Sequence, residues 1–127
     1  MAAKVNVSLK IDTFMQENAE ELKVIKGKVR QERGDNVEIE IVYVKALDKC
    51  VVLATPDVDE VTRFLKELRD DDQSFAAQQN LVISATVYPN KETMQKYIEM
   101  RPLIAVGLAN KASEMSGREM EMTSKKL

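Results

Sequence analysis

The sequence lacks histidine and tryptophan, and it contains a single cysteine, Cys50. Without histidine, no side chain has an ordinary pKa near neutrality. Histidine acid–base catalysis, Ser-His-Asp and Cys-His nucleophiles, and histidine zinc sites are therefore excluded. One cysteine cannot form an intrachain disulfide or a multi-cysteine metal site. We predict that the protein is not an enzyme, and we expect no catalytic residues, no metal and no cofactor.

Long apolar runs and an excess of one charge are also missing. No segment approaches the roughly 20 apolar residues that span a bilayer, so no membrane association is expected. The 19 Lys and Arg residues nearly balance the 21 Asp and Glu residues. This balance argues against nucleic-acid binding, which needs surplus positive charge to replace phosphate counterions. The 127 residues, 44% of them apolar, are typical of one folded domain, and the single thiol favours a cytoplasmic location.

The N-terminal segment has two competing interpretations. Apolar residues occupy every second position from 5 to 11, which is strand spacing, and an exposed arm over residues 1–11 is the alternative. A helix is predicted over residues 13–26. Asp12 is its expected N-cap, and Gly27 is expected to end it.

The next segment has the pattern of a β-hairpin. Residues 37–44 contain alternating apolar residues and glutamates, and a short break at 46–49 separates them from a second β-rich run at 50–54. Two such runs with a short connection predict an antiparallel pair. Because a lone hairpin is marginal in water, we expect a third strand at 29–33 or a covering helix.

The second half of the sequence predicts helices. Thr55 and Pro56 are the expected N-cap and first residue of the clearest one. Its apolar stripe has spacings of three and four residues: Val58, Val61, Leu65 and Leu68. Residues 75–88 are predicted helical, although their β-branched end also favours a strand.

Two further helices complete the pattern. Asn90 is the expected N-cap of residues 91–100, and a last helix is predicted over 102–116 with Gly117 at its end. Residues 118–127 are expected to form a flexible tail. The sequence therefore predicts a single α+β domain over residues 1–117. It has an N-terminal helix and a small antiparallel hairpin or sheet, followed by a C-terminal bundle of three or four helices.

Two features resemble sites but have simpler interpretations. The acidic run 70–72 lacks the alternating spacing of a calcium loop, so we interpret it as a solvated connection between helices. Cys50 has only Lys49 beside it as an activating cation, and a buried small apolar residue is the favoured interpretation.

Methionine is more frequent than expected, with seven residues. Flexible thioethers suit surfaces that accommodate varied partners. The candidate partner-binding residues are Met94, Tyr97, Met115, Met120 and Met122. The alternative is that Met94 and Met115 fill gaps in the core.

The order of segments resembles the small tail-assembly-chaperone-like proteins of tailed bacteriophages and prophages. The resemblance covers about residues 18–117. It rests on Glu21-Leu22-Lys23, Gly27-Lys28-Val29, the hairpin that ends at Ala54-Thr55-Pro56, and the helical remainder with Val87-Tyr88-Pro89. The family often has a basic residue before the proline, where this chain has Thr55.

The resemblance implies a non-enzymatic protein that binds the tape-measure or tail-tube protein in the host cytoplasm. Two alternatives stay open. One is a structural component that remains in the virion as an oligomer. The other is a small regulatory or ligand-binding module.

Overall fold

The structure is a computed structural model that describes residues 2–119 and 122–127, with side chains for residues 7–118 and 122–127. This part of the chain forms six helices and three strands. The helices are α1 (Ala2–Glu17), α2 (Ala19–Arg33), α3 (Val58–Glu67), α4 (Ser74–Ala85), α5 (Lys91–Met100) and α6 (Leu103–Glu119). The strands are β1 (Ile39–Val44), β2 (Lys49–Ala54) and β3 (Thr86–Tyr88).

The strands form one antiparallel sheet in the order β1-β2-β3. In the hairpin, Ile39 lies opposite Ala54 and Val44 lies opposite Lys49. β3 pairs with the other side of β2, where Tyr88 lies opposite Val52. The predicted α+β class and the predicted hairpin are both confirmed.

One face of the sheet packs against α4, α5 and α6. This face carries alternate residues of the hairpin, including Val51 and Leu53, which are completely buried. Alternation across the pleat places Val42 and Val44 on the same side. The remaining core residues come from the three helices: Leu81, Val82, Ala85, Met94, Ile98, Ile104, Ala105, Leu108, Ala109, Ala112 and Met115.

The opposite face of the sheet lies under the N-terminal helices. Cys50 and Val52 point to this side and are buried. α2 is attached through Arg33 at its end, whose guanidinium donates to the carbonyls of Thr55 (3.0 Å) and Ser84 (3.1 Å). One side chain thus links α2 to the ends of both β2 and α4.

The predicted N-terminal strand or arm was wrong, because the half-buried positions there follow the spacing of a helix and not the alternation of a strand. The segment that we interpreted as a strand or an arm is helix α1, and Asp12 lies inside that helix instead of capping one. Ile11, Phe14 and Asn18 are the half-buried positions, a helical spacing of three and four residues.

Of the two alternatives for backing the hairpin, a third strand at 29–33 is not formed. These residues continue α2, which passes through Gly27 without interruption and buries Val29. The helix is followed by Gly34, whose φ of 106° suits glycine. The third strand is β3, which follows α4 directly, so residues 75–88 contain both the predicted helix and the competing strand.

The predicted start of α3 was two residues too early. Thr55 is buried at the end of the sheet, where its backbone N–H donates to the Glu38 carbonyl (3.0 Å). Asp57 is the N-cap, and its carboxylate accepts from the Glu60 N–H (3.0 Å). Pro56 therefore precedes the helix.

The last two helices follow the prediction more closely. Asn90 caps α5, its side chain accepting from the Thr93 N–H (2.7 Å), as expected. α6 continues past the expected end at Ser116 and Gly117 to Glu119. Arg118 stabilises this extra turn because it pairs with Glu40 of β1.

Candidate partner-binding surfaces

The structure separates the five predicted partner-binding residues. Met94 and Met115 are completely buried in the core, so they fill space between helices and are not available at the surface. Tyr97 is half-buried beside the core. Met122 is 89% exposed, and Met120 lies outside the described residues. These residues do not form a common surface within the described part of the chain.

A groove between β1 and the first half of α6 is lined mainly by apolar side chains. We call it the basic groove. Its volume is about 640 Å³. The apolar lining residues are Val42, Val44, Ala46, Met100, Pro102, Leu103, Ile104 and Leu108. Met100 and Leu103 are 72% and 81% exposed, so the corner between α5 and α6 presents apolar side chains to solvent.

The charged residues that line the basic groove all have the same sign. They are Lys45, Arg101 and Lys111. Lys111 also pairs with Glu40 (3.2 Å), which anchors the wall formed by α6 to the wall formed by β1. An apolar lining with a cationic rim suits a protein segment that has both aliphatic and acidic side chains.

Sequence reasoning missed this groove, although one signal was present. The helical pattern is interrupted by Pro102. A large apolar residue lies on each side of this proline, Met100 before it and Leu103 after it. A corner between helices is exposed, so apolar residues there are candidates for binding. Lys45 follows β1 and Lys111 lies farther along α6, and neither has such a signal.

The first half of α6 contains a glycine that lines the basic groove. A Cβ atom at Gly107 would meet no heavy atom within 4 Å. A Cβ atom can therefore be added there without a clash, and replacing a helical glycine also favours helix formation. Gly27 in α2 is equally open and provides a matched control position.

A second opening, the aromatic cleft, lies between α1 and the other face of the sheet. Its volume is about 600 Å³, and all three tyrosines of the chain line it, together with Phe14 and Cys50. The rings of Phe14 and Tyr88 meet edge to face, with centroids 5.2 Å apart.

An exposed polar cluster closes one end of the aromatic cleft. Asp48, in the hairpin turn, accepts from the Tyr43 hydroxyl (2.6 Å) and from the ammonium of Lys10. These hydrogen bonds raise the pKa of Lys10 and lower the pKa of Asp48. The cluster fastens α1 to the hairpin, but its exposure to water keeps its contribution small.

Cys50 lies beneath α1 and is 8% exposed. Its thiol donates to the Lys10 carbonyl, with Sγ and O 4.0 Å apart. Burial raises the pKa of this thiol, which lowers its reactivity because the thiolate is the nucleophile. The prediction of a buried small residue is confirmed, and the geometry does not favour a catalytic thiol.

A third surface surrounds α3, the helix with the clearest apolar stripe. None of its side chains is fully buried. Val58 is 70% exposed and Leu65 is 57% exposed, and both line a groove of about 320 Å³ against the second half of α6. The acidic run 70–72 follows α3 as an exposed turn, as predicted for a connection between helices.

Within the described residues, no three His, Cys, Asp or Glu residues are grouped so that they could hold a metal ion. In the same part of the chain, no helix combines the length and the apolar character needed to cross a bilayer.

Comparison with known proteins places the chain in a family. The sequence pattern of the family described as domain of unknown function DUF6848 matches residues 23–125. The protein belongs to the DUF6848 family. The match begins after α1, so the first helix lies outside the shared domain, whereas the basic groove lies within it.

One solved structure is similar in fold. It is the uncharacterised protein rbstp2171 from Bacillus stearothermophilus, with 21% sequence identity and a TM-score of 0.54. The similarity covers 80% of this chain and 97% of that one, and at this identity it concerns the fold alone. A comparison with curated proteins found no match.

Proposed function

We propose that this protein is a non-enzymatic tail-assembly chaperone of a tailed bacteriophage or prophage. In this proposal it acts in the host cytoplasm and binds an apolar helical segment of the tape-measure or tail-tube protein. The phage assignment rests on the order of segments over residues 18–117 described above. The observation that carries the binding role is the basic groove, whose apolar lining is open to solvent.

The groove suits a helix for a physical reason. An amphipathic helix presents apolar side chains at intervals of three and four residues, and such a stripe fits an elongated apolar groove. One wall of the groove is the helix α6, and the other is the edge strand β1. The apolar side chains of a bound segment would be shielded from water between these walls, as chaperone function requires.

The decisive experiment is co-expression with the tape-measure and tail-tube proteins encoded by the same genome. We expect one of them to co-purify with the wild-type chain and with Gly27→Trp, but not with Gly107→Trp. Both variants add the same side chain at an open helical position, so only the loss of the groove distinguishes them. Absence of both proteins from the wild-type preparation would contradict the chaperone proposal.

Purified particles separate the chaperone from a structural component. A chaperone is absent from finished virions, whereas a structural protein is present in a fixed number of copies. Mass spectrometry of purified particles measures this directly. Stoichiometric recovery of the chain would support the structural alternative.

The aromatic cleft favours a second candidate function, the binding of a small ligand. Tyrosine rings beside Lys10 and Asp48 combine apolar faces with polar groups, a common composition of ligand sites. Saturation-transfer NMR with a library of small aromatic acids tests this candidate. Binding that is lost in Tyr88→Ala but retained in Gly107→Trp would assign a ligand role to the cleft.

A further inference from the structure

Two exposed apolar surfaces of this chain have opposite charges. One is the basic groove. The other, the acidic α3 surface, consists of exposed apolar residues on α3 and at the start of α4, together with exposed carboxylates that are close to them in sequence. The apolar members are Val58, Leu65, Leu68 and Phe75. The exposed carboxylates are Asp57, Asp59, Asp70, Asp71 and Asp72.

The charges of α3 and its flanks make this surface acidic. From residue 57 to residue 72 there are seven carboxylates and three cationic side chains, a net charge of −4. Arg63 is already paired with Glu60 and Glu67 in its own helix, so it neutralises carboxylates on α3 itself. The lining of the basic groove, in contrast, contains no carboxylate and three cations. Of these, Lys111 is already paired with Glu40 and Glu114, so Lys45 and Arg101 are the cations that a docked acidic surface would face.

The two surfaces lie at opposite ends of α6. The basic groove uses α6 between Leu103 and Lys111, whereas the groove beside α3 uses Ser113, Ser116 and Gly117 of α6. With 17 residues, α6 is about 25 Å long. A molecule that occupies the groove therefore leaves the acidic α3 surface of the same chain accessible.

We propose that the acidic α3 surface of one copy docks into the basic groove of a second copy. The exposed apolar residues of α3 would enter the groove, and its carboxylates would face Lys45 and Arg101. Because the two surfaces are different, the contact is heterologous and joins copies head to tail. This inference goes beyond the proposed function. It assigns the same groove to a second copy, so a tail-protein segment and a second copy would compete for it.

The contact is expected to be weak and reversible. α3 has ten residues and is about 15 Å long. One such helix buries less area than the roughly 1,200 Å² of a stable interface. The chain should therefore be monomeric when dilute and form dimers and longer species as its concentration rises.

Sedimentation velocity on the purified wild-type chain is the first test. We expect the weight-average sedimentation coefficient to rise over a concentration series at about 0.1 M salt. At about 1 M salt the rise should be smaller, because the Debye length falls from about 10 Å to about 3 Å. A coefficient that does not change with concentration at low salt would overturn the proposal.

Two variants block the two surfaces separately. Gly107→Trp fills the basic groove, and Leu65→Lys places a cation on the acidic α3 surface. Each has a matched control: Gly27→Trp at an open helical glycine, and Leu9→Lys at a leucine on α1 that is 56% exposed, against 57% for Leu65. We expect both blocking variants to be monomeric and both controls to associate like the wild type. Circular dichroism establishes that each variant is folded.

Mixing the two blocking variants gives the most specific test. Gly107→Trp retains an intact α3 surface, and Leu65→Lys retains an intact groove, so an equimolar mixture should form dimers but no longer species. A symmetric groove-to-groove contact would leave Leu65→Lys associated on its own, and a symmetric contact between α3 surfaces would leave Gly107→Trp associated. Either result, or a mixture that stays monomeric, would overturn the head-to-tail contact.

Discussion

The two faces of the small sheet are covered by different kinds of contact. On one face, Leu53 and its neighbours pack against α4, α5 and α6 and are completely excluded from water. On the other face, α1 contributes one aromatic pair and an exposed polar cluster around Asp48, and none of its described side chains is fully buried.

This difference indicates where the stability of the fold resides. Burial of aliphatic side chains is the main favourable term in folding, whereas exposed ion pairs contribute little. The C-terminal side of the sheet should therefore govern global unfolding. α1 should detach in a separate, less costly step, as expected for an element with few buried contacts. The family match, which begins at residue 23, also excludes α1.

The largest expected effect is on the C-terminal side. Leu53→Ala removes a completely buried side chain and should lower the free energy of unfolding by about 2–5 kcal/mol. Leu9→Ala, at an exposed position on α1, should change it by less than about 0.5 kcal/mol. Chemical denaturation followed by circular dichroism measures both. Equal losses of unfolding free energy in the two variants would contradict the conclusion that the C-terminal side of the sheet governs stability.

Arg33 should have the next largest effect, because it joins α2 to both layers. Arg33→Met leaves the carbonyls of Thr55 and Ser84 without this donor and should cost about 1.5–3 kcal/mol of unfolding free energy. Arg30→Met is the control, since Arg30 is exposed in the same last turn. If Arg30→Met lowers the unfolding free energy as much as Arg33→Met does, the hydrogen bonds of Arg33 are not the cause of the loss.

Removing the aromatic pair should release α1 while the core stays folded. An edge-to-face pair contributes about 0.5–1.5 kcal/mol beyond its buried area. Phe14→Ala should therefore raise the rate of Cys50 modification by a thiol reagent roughly 2- to 10-fold. Met15→Ala, at an exposed position on the same helix, should leave the rate unchanged. Identical rates in wild type and Phe14→Ala would show that α1 does not control access to this thiol.

The smallest expected effect depends on pH and on Asp48. Hydrogen bonds from Lys10 and Tyr43 lower the pKa of Asp48 below its ordinary value of 3.8. At low pH, the state in which α1 is detached therefore binds more protons than the state in which α1 is docked. The stabilisation of docked α1 by Asp48 is complete above pH 3.8 and is lost as the pH falls below it. Modification of Cys50 by a disulfide reagent that works in acid should become faster over that range. Asp48→Asn should remove this dependence, and an unchanged profile in the variant would assign the effect to other groups.

The sequence was sufficient for elements whose signals are local. The alternation at 37–44 and the capping geometry of Asn90 depend on neighbours along the chain, and both predictions were confirmed. The buried state of Cys50 also followed from its place in a β-rich run. The α+β class resulted from these local patterns combined.

Predictions failed where distant residues determine the outcome. Gly27 has a high cost in a helix, yet α2 continues through it because Val29 is buried farther along the same helix. The end of α6 is extended by Arg118, whose partner Glu40 lies on β1, 78 residues away. For Met94 and Met115 the sequence left a partner surface and a core position open, because methionine is compatible with both environments. Their burial depends on how α5 and α6 pack.

The amino-acid sequence alone determined which chemistry is excluded, because the absence of histidine and the single thiol are independent of the fold. It also determined the local periodicity of the hairpin and of the stripe on α3. Only the tertiary structure decided which apolar residues remain exposed, because exposure depends on what packs against each side chain. The basic groove is formed in this way from β1 and α6, which are far apart in sequence and meet only in the folded protein.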